Sequence, residues 1–247
     1  MKQRYFFAFI IITGLLVSAS QSHAQKKIQV INKPGYDVYW FHFGIMLGLN
    51  VMDFSIHPSE ILLNHDPAAP EHIYAIIPQR NLGFNINIVT NLRLGDYWDL
   101  RFTPGLAFGQ RDLAYKRDTI QNGIKTESWH TMKIESTFLQ LPFLIKYRSA
   151  RVNNYRPYLI AGLNPSYDLE SQKKIKAEEM PKIRLVRPDL YFELGFGIDY
   201  YMVYFKFSTE LKLSIGLNDV VKEDETIYTI AIDKMTSKIL TLGFYFE

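Results

Sequence analysis

Alternation with a period of two residues, sustained for longer than a soluble strand needs, is the feature that most limits what this chain can become. From Trp98 to Gly109, Trp98, Leu100, Phe102, Pro104, Leu106 and Phe108 fall on one face, and Asp99, Arg101, Thr103, Gly105, Ala107 and Gly109 on the other. A strand turns successive side chains to opposite faces, so the pattern reads as extended backbone. Strands of soluble sheets mostly run about 5–6 residues. A run of 12 comes closer to the ~9–11 residues that cross a bilayer at a tilt.

The same reading applies at eight places. In the first, Phe41, Phe43, Ile45, Leu47 and Leu49 oppose Trp40, His42, Gly44, Met46, Gly48 and Asn50. Later segments centre on Phe84–Leu92, Ser136–Tyr147, Arg156–Asn164, Asp189–Asp199, Val203–Gly216 and Leu240–Phe246. The apolar face carries no charge across the middle of any of them. In a soluble barrel that face points inward, and in a membrane barrel outward. Glycine decides between the two. Gly44, Gly48, Gly83, Gly105, Gly109, Gly162, Gly195, Gly197 and Gly216 all lie on the polar face, where a narrow lumen needs small residues and a solvated surface does not. The expectation is an all-β, eight-stranded, antiparallel, up-and-down transmembrane barrel over residues 39–247.

Connections alternate in length. Long ones are expected at Asp53–Arg80, Gln110–Lys133, Pro165–Arg187 and Asn218–Lys238, and short ones at Arg93–Tyr97, Arg148–Asn154 and Asp199–Tyr201. Outer-membrane barrels have long outer loops and short periplasmic turns. Aromatic residues collect at the short-turn end: Tyr39/Trp40, Tyr97/Trp98, Tyr147, Tyr155, Tyr200/Tyr201 and Tyr245/Phe246, with Phe54, Phe84 and Phe108 toward the other. Such girdles mark membrane interfaces. Aromatics make up 15% of the chain.

The N-terminus suits export. Lys2 and Arg4 precede an apolar stretch, Tyr5 to Ala19, too short to span a bilayer. Ser22-His23-Ala24 places small residues at −3 and −1 of a cleavage site. Residues 1–24 therefore read as a signal peptide, followed by a short periplasmic segment, 25–38, and the outer membrane as destination. Losing Lys2 and Arg4 lowers the net charge from +3 to +1, so no global field argues for nucleic acid. Cysteine is absent, which excludes a disulfide framework, a thiolate metal site, a cysteine nucleophile and a lipoprotein anchor.

The polar face carries Asp99, Arg101, Lys146, Arg156, Glu193, Asp199, Lys206, Glu210 and Lys212. Such residues suit a carboxylate pair or a narrow pore, but eight-strand interiors are normally filled by side chains, and buried charges need partners. The reading is a structural lumen network built on Arg101, Lys146, Glu193, Lys206 and Glu210, with His42 as a hydrogen-bonding filler. No catalytic, cofactor or metal residue is assigned. His57, His65 and His72, with Glu60, Asp66 and Glu71, lie at spacings of eight and seven that fit no tight zinc motif. Gly195-Phe-Gly197 lacks the third glycine and the helix of a nucleotide loop. The third long connection holds Lys173, Lys174, Lys176, Lys182 and Arg184 beside Glu178 and Glu179, a solvated surface or a contact for phosphates or a partner protein.

Three stretches carry a resemblance: Leu139-Gln-Leu-Pro-Phe-Leu-Ile-Lys-Tyr147, Arg156-Pro-Tyr-Leu-Ile-Ala-Gly162 and Leu194-Gly-Phe-Gly-Ile-Asp-Tyr200. They look like the strand signatures of PorT-like outer-membrane barrels associated with the type IX secretion system. The resemblance covers about Trp40 to Glu247. It implies a non-enzymatic part in protein export across the outer membrane, in some cells with gliding motility, and with outer-membrane lipids and envelope proteins as partners. The signatures are structural and transfer no site residues. A general structural or adhesive barrel is the second reading, and a lipid- or peptide-modifying barrel enzyme the third.

Overall fold

The computed structural model describes residues 30–60, 71–121, 124–171, 183, 185–222 and 227–247. Residues 1–24, His65, Asp66 and the charged group from Lys173 to Arg184 lie outside these. The chain divides into an N-terminal unit, Met1–Ile31, and a barrel unit, Asn32–Glu247. Of the first unit only Val30 and Ile31 are described, and both are exposed.

The barrel unit forms one antiparallel sheet: β1 Phe41–Pro58, β2 Glu71–Arg93, β3 Trp98–Phe102, β4 Gly105–Gln121, β5 Ile124–Gln140, β6 Phe143–Arg148, β7 Tyr155–Asp168, β8 Pro188–Tyr201, β9 Lys206–Gly216 and β10 Ile232–Phe246. The sheet closes on itself. β1 pairs with β10 from Ile45↔Phe246 to Pro58↔Ile232 and with β2 from Phe41↔Leu92 to Met52↔Asn81. Closure leaves no sheet edge in the membrane, where unpaired backbone groups are costly.

Ten strands replace the eight expected, and proline is the reason. β3 and β4 are separated by Thr103-Pro104, and β5 and β6 by Leu141-Pro142. Proline has no N–H to give the ladder. The two breaks lie side by side, between the pairs Phe102↔Phe143 and Gly105↔Gln140. Thr103 N still donates to Pro142 O at 3.2 Å, and Leu141 N to Pro165 O at 3.0 Å. Each broken pair runs on as a single wall element, so eight staves surround the lumen.

Accessibility gives the orientation of the faces. Phe43, Ile45, Ile88, Phe143, Ile145, Leu159, Leu194, Phe196 and Leu240 are among the exposed apolar residues, while Asp99, Arg101, Lys146, Glu193, Asp199, Lys206 and Glu210 are buried. The alternation is therefore apolar outward, as a lipid-facing barrel requires.

The residues just before β1, the C-terminal Glu247 and the turns Leu94–Tyr97, Ser149–Asn154 and Met202–Phe205 lie at one end, the turn end. Tyr39, Trp40, Tyr97, Trp98, Tyr147 and Tyr155 are exposed there, with the Trp98 and Tyr147 rings 4.7 Å apart. Three aromatic assignments are corrected. Tyr201 and Tyr245 point into the lumen, and Phe54 is buried rather than interfacial. Each shares the parity of the inward face of its strand.

The opposite, loop end departs most from expectation. Gln110–Lys133 is not a loop: β4 and β5 stay paired from Gly105↔Gln140 to Gln121↔Ile124. β2 pairs with β4 out to Glu71↔Thr119. The three strands continue as a blade past the point where β5 leaves β7, whose shared pairs are Phe138↔Asp168 to Gln140↔Ser166. Against the blade packs a buried apolar cluster that includes Phe54, Ile73, Leu113, Tyr115, Met132, Ile183, Leu185, Val220, Tyr228, Ile232 and Met235. The connections expected to be solvated thus contribute a second core.

Candidate functional site

The interior chemistry changes in layers from the turn end to the loop end. The first layer is a strap formed by the residues before β1. A short 3-10 turn, Tyr36–Val38, lies across the lumen mouth. The Tyr36 ring stacks on His42 with centroids 4.0 Å apart, and the His42 Nε2 sits 2.9 Å from Tyr36 O. Tyr36 Oη donates to Glu247 Oε2 at 3.2 Å. Burial, and then the neighbouring Glu247 carboxylate, push the Tyr36 phenol well above its ordinary value, so it remains a donor. Asn32 donates through Nδ2 to Tyr201 O at 3.0 Å, and Asn154 Oδ1 accepts from Asn32 N at 2.9 Å.

The second layer holds most of the charges read from the sequence. Arg101 Nη1 lies 3.0 Å from Glu210 Oε2, and its Nη2 3.3 Å from Glu247 Oε1. Lys206 Nζ meets Glu247 Oε2 at 2.7 Å, and Lys146 Nζ meets Asp199 Oδ2 at 2.7 Å. Tyr158 and Tyr245 both donate to Glu210. The Tyr158 ring also lies under Lys146 Nζ, 3.7 Å from its centroid. Gly197 makes this possible: a Cβ there would come within 2.5 Å of the Tyr158 ring.

Glu193 belongs to the next layer. Its carboxylate forms an ion pair with Lys212 Nζ at 2.8 Å and accepts hydrogen bonds from Asn164 Nδ2 and Ser214 Oγ, each at 2.8 Å. Of the five network residues expected, Arg101 and Glu210 meet directly, Lys206 joins them through Glu247, and Lys146 and Glu193 sit in separate pairs. Two carboxylates with central places were missed. Glu247 bridges Arg101 and Lys206, and Asp37 on the strap accepts from Arg156 Nη1 at 2.9 Å. The parity of β10 offered a signal for Glu247: it follows Thr241, Gly243 and Tyr245 on the inward face. Asp37 lies outside any strand and gave none.

Nearer the loop end, Arg111 donates to Ser237 Oγ at 2.8 Å and to Ser136 Oγ at 2.5 Å, with Asp168 Oδ2 3.6 Å away. Its guanidinium lies over the rings of Phe54 at 4.2 Å and Phe138 at 5.1 Å. It marks the passage from the charged interior to the apolar cap.

The buried charged residues number seven basic and seven acidic among the described residues, and the fully buried Glu247 side chain adds a further carboxylate, so charges of opposite sign nearly match, as a low-dielectric space demands. No group of three or more His, Asp or Glu able to hold a metal occurs among the described residues. Of the histidines weighed as ligands, His57 is exposed on β1.

Residues 20–222 match a family described as "Outer membrane protein beta-barrel domain". The chain belongs to that outer-membrane β-barrel family. Its place is accordingly the outer membrane, with lipid against the exposed apolar belt. Solved structures similar to this barrel include OprG from Pseudomonas aeruginosa, at 11% identity, 84% of this chain, 95% of that chain and a TM-score of 0.43. Neisserial surface protein A is similar at 12% identity, 84% of this chain, 99% of that chain and a TM-score of 0.42. Ail of Yersinia pestis, solved with the heparin analogue sucrose octasulfate, is similar at 9% identity, 84% of this chain, 99% of that chain and a TM-score of 0.38. No curated protein matches this barrel significantly in sequence.

Proposed function

We propose that this barrel is a non-enzymatic outer-membrane component of protein export by the type IX secretion system, with a part in gliding where cells glide. In this reading residues 1–24 are removed as a signal peptide, the turn end faces the periplasm, and the lumen charges form a structural network. The observation that carries it is the filled interior. The strap, three layers of paired side chains and the apolar cap occupy the lumen, which leaves surfaces and connections as the working parts. Glu193 and Glu210 are the carboxylates an enzyme reading would use, yet both are 1% exposed or less and already hydrogen-bonded to lumen partners. A reacting group needs access to substrate. The secretion setting draws on the PorT-like strand signatures, whose residues form the lipid-facing belt and the Tyr158 and Asp199 positions of the network.

Deleting the gene tests the secretion role. Retention of type IX cargo inside the cell is expected. Normal export would remove that role and leave a structural or adhesive barrel. Glu193→Gln and Glu210→Gln test chemistry: export should persist wherever the barrel stays heat-modifiable on gels, and loss of export with an intact barrel would favour an enzyme. The lack of cysteine makes orientation simple to measure. On intact cells an impermeant maleimide should label Glu60→Cys and leave Tyr204→Cys unlabelled.

A further inference from the structure

At the turn end a cavity of about 270 Å³ opens among Asp37, Arg93, Asp96, Arg148, Arg151 and Arg156. We propose that this arginine cup binds an acidic peptide segment of a partner protein. The inference rests on the turn-end geometry alone and stands whichever export role the barrel serves.

The first observation is unequal charge. The lining carries four guanidinium groups against the carboxylates of Asp37 and Asp96, and Asp99 behind the lining lies 3.2 Å from Arg148, so four cations face three carboxylates. Arg93 uses Nη2 on Asp96 at 2.6 Å, but its Nε and Nη1 go to the main-chain carbonyls of Gly95 and Asp37. Arg151 gives its Nε to Asn153 O at 2.8 Å and its Nη2 to Asn32 O. Carbonyl oxygens accept the hydrogen bonds without neutralising the charge. The second observation concerns the floor. Arg148 and Arg156 are 4% and 8% exposed, and the Nε of each has no hydrogen-bond partner. A buried donor left without an acceptor is costly, so the floor arginines are short of acceptors for the charge they carry.

The third observation is the occupant already present. Asp37, carried on the strap, places its carboxylate 2.9 Å from Arg156, 3.5 Å from Arg148 and 3.9 Å from Arg151. The cup therefore receives a carboxylate from a length of non-strand chain, which is the form an acidic peptide presents. Arginine forks suit carboxylates in this way. Arg93 ends β2 and Arg151 lies in the β6–β7 turn. The excess charge is thus spread over two turns, which fits spaced side chains of a peptide better than one compact phosphate. Asp37 competes for the same donors, so the internal carboxylate sets the affinity.

The test uses the intact barrel purified in detergent and a fluorescein-labelled, capped tetraglutamate peptide, read by anisotropy. Saturable binding is expected, with none for tetralysine. Arg93→Gln/Arg151→Gln should weaken it by about tenfold or more, the scale of losing one charge-assisted contact. Asp37→Asn, which keeps the shape and removes the competing charge, should tighten it by about tenfold. Heat-modifiability on gels reports folding of each variant. Absence of saturable binding to the wild type and to Asp37→Asn would overturn the proposal. So would unchanged or weakened binding in folded Asp37→Asn, which stands as the deciding arm if the double variant does not fold. Displacement of the peptide by equimolar inorganic phosphate would reassign the cup to a simple anion.

Discussion

The same strands build two interiors of opposite character. Through the lipid belt, β1 turns Ile45, Leu47 and Leu49 outward and His42, Gly44 and Asn50 inward. Toward the loop end it turns Asp53, Ser55 and His57 outward and Met52, Phe54 and Ile56 inward. β4 makes the same exchange, from outward Leu106 and Phe108 to inward Leu113 and Tyr115, and β5 from outward Leu139 to inward Met132. On these three strands parity holds and the chemistry on each parity changes; β2 and β10 instead shift register, between Arg80 and Phe84 and opposite His57/Pro58. Where lipid surrounds the wall, apolar groups face out and the polar interior must pair its charges. Where water surrounds it, the hydrophobic effect reclaims the inside. The exchange point, near Asn50 on β1 and Arg111 on β4, marks the membrane boundary in the chain itself.

Five substitutions probe that contrast, each read by urea titration in lipid vesicles. Arg101→Met should have the largest effect, about 3–5 kcal/mol, because it leaves buried Glu210 without its cation and Glu247 with Lys206 alone. A loss below ~1 kcal/mol would mean the lumen is wet enough to solvate them. Leu194→Arg, in the middle of the lipid belt, should cost about 2–4 kcal/mol; a negligible change would place that surface in water. Leu113→Ala in the cap should cost about 2–3 kcal/mol through the cavity it leaves. The same truncation at lipid-facing Leu213 should cost less than ~1 kcal/mol, since lipid refills the space. Equal losses at the two sites would erase the distinction. Arg80→Ala removes a pair with Asp53 whose arginine side chain is 70% exposed, and should change stability by no more than about 0.5 kcal/mol.

Much of this was legible in the chain. Trp98–Gly109 announced its own faces, and the glycines of the polar face chose the membrane inversion. The blade is not legible in the sequence because its strands run on beyond the point where their outward apolar pattern ends. At Phe54, Leu113 and Met132 the strand continues and only the surrounding solvent changes. The prolines at 104 and 142 were visible, but that they sit beside each other and split two strands at one level is a matter of register. Among the lumen charges, the residue types were readable and the pairings were not. Arg101 lies 109 residues from Glu210 and 146 from Glu247, and nothing local joins them.

The sequence by itself determined a closed lipid-facing barrel with a charged lumen, because period-2 alternation and small inward residues are local properties of each strand. Only the tertiary structure decided which charges neutralise one another, that Asp37 and Glu247 close the turn-end mouth, and that distant connections form an apolar cap. These depend on how closure of the sheet brings sequence-remote side chains within a few ångströms, the range at which ion pairs, hydrogen bonds and apolar contacts form.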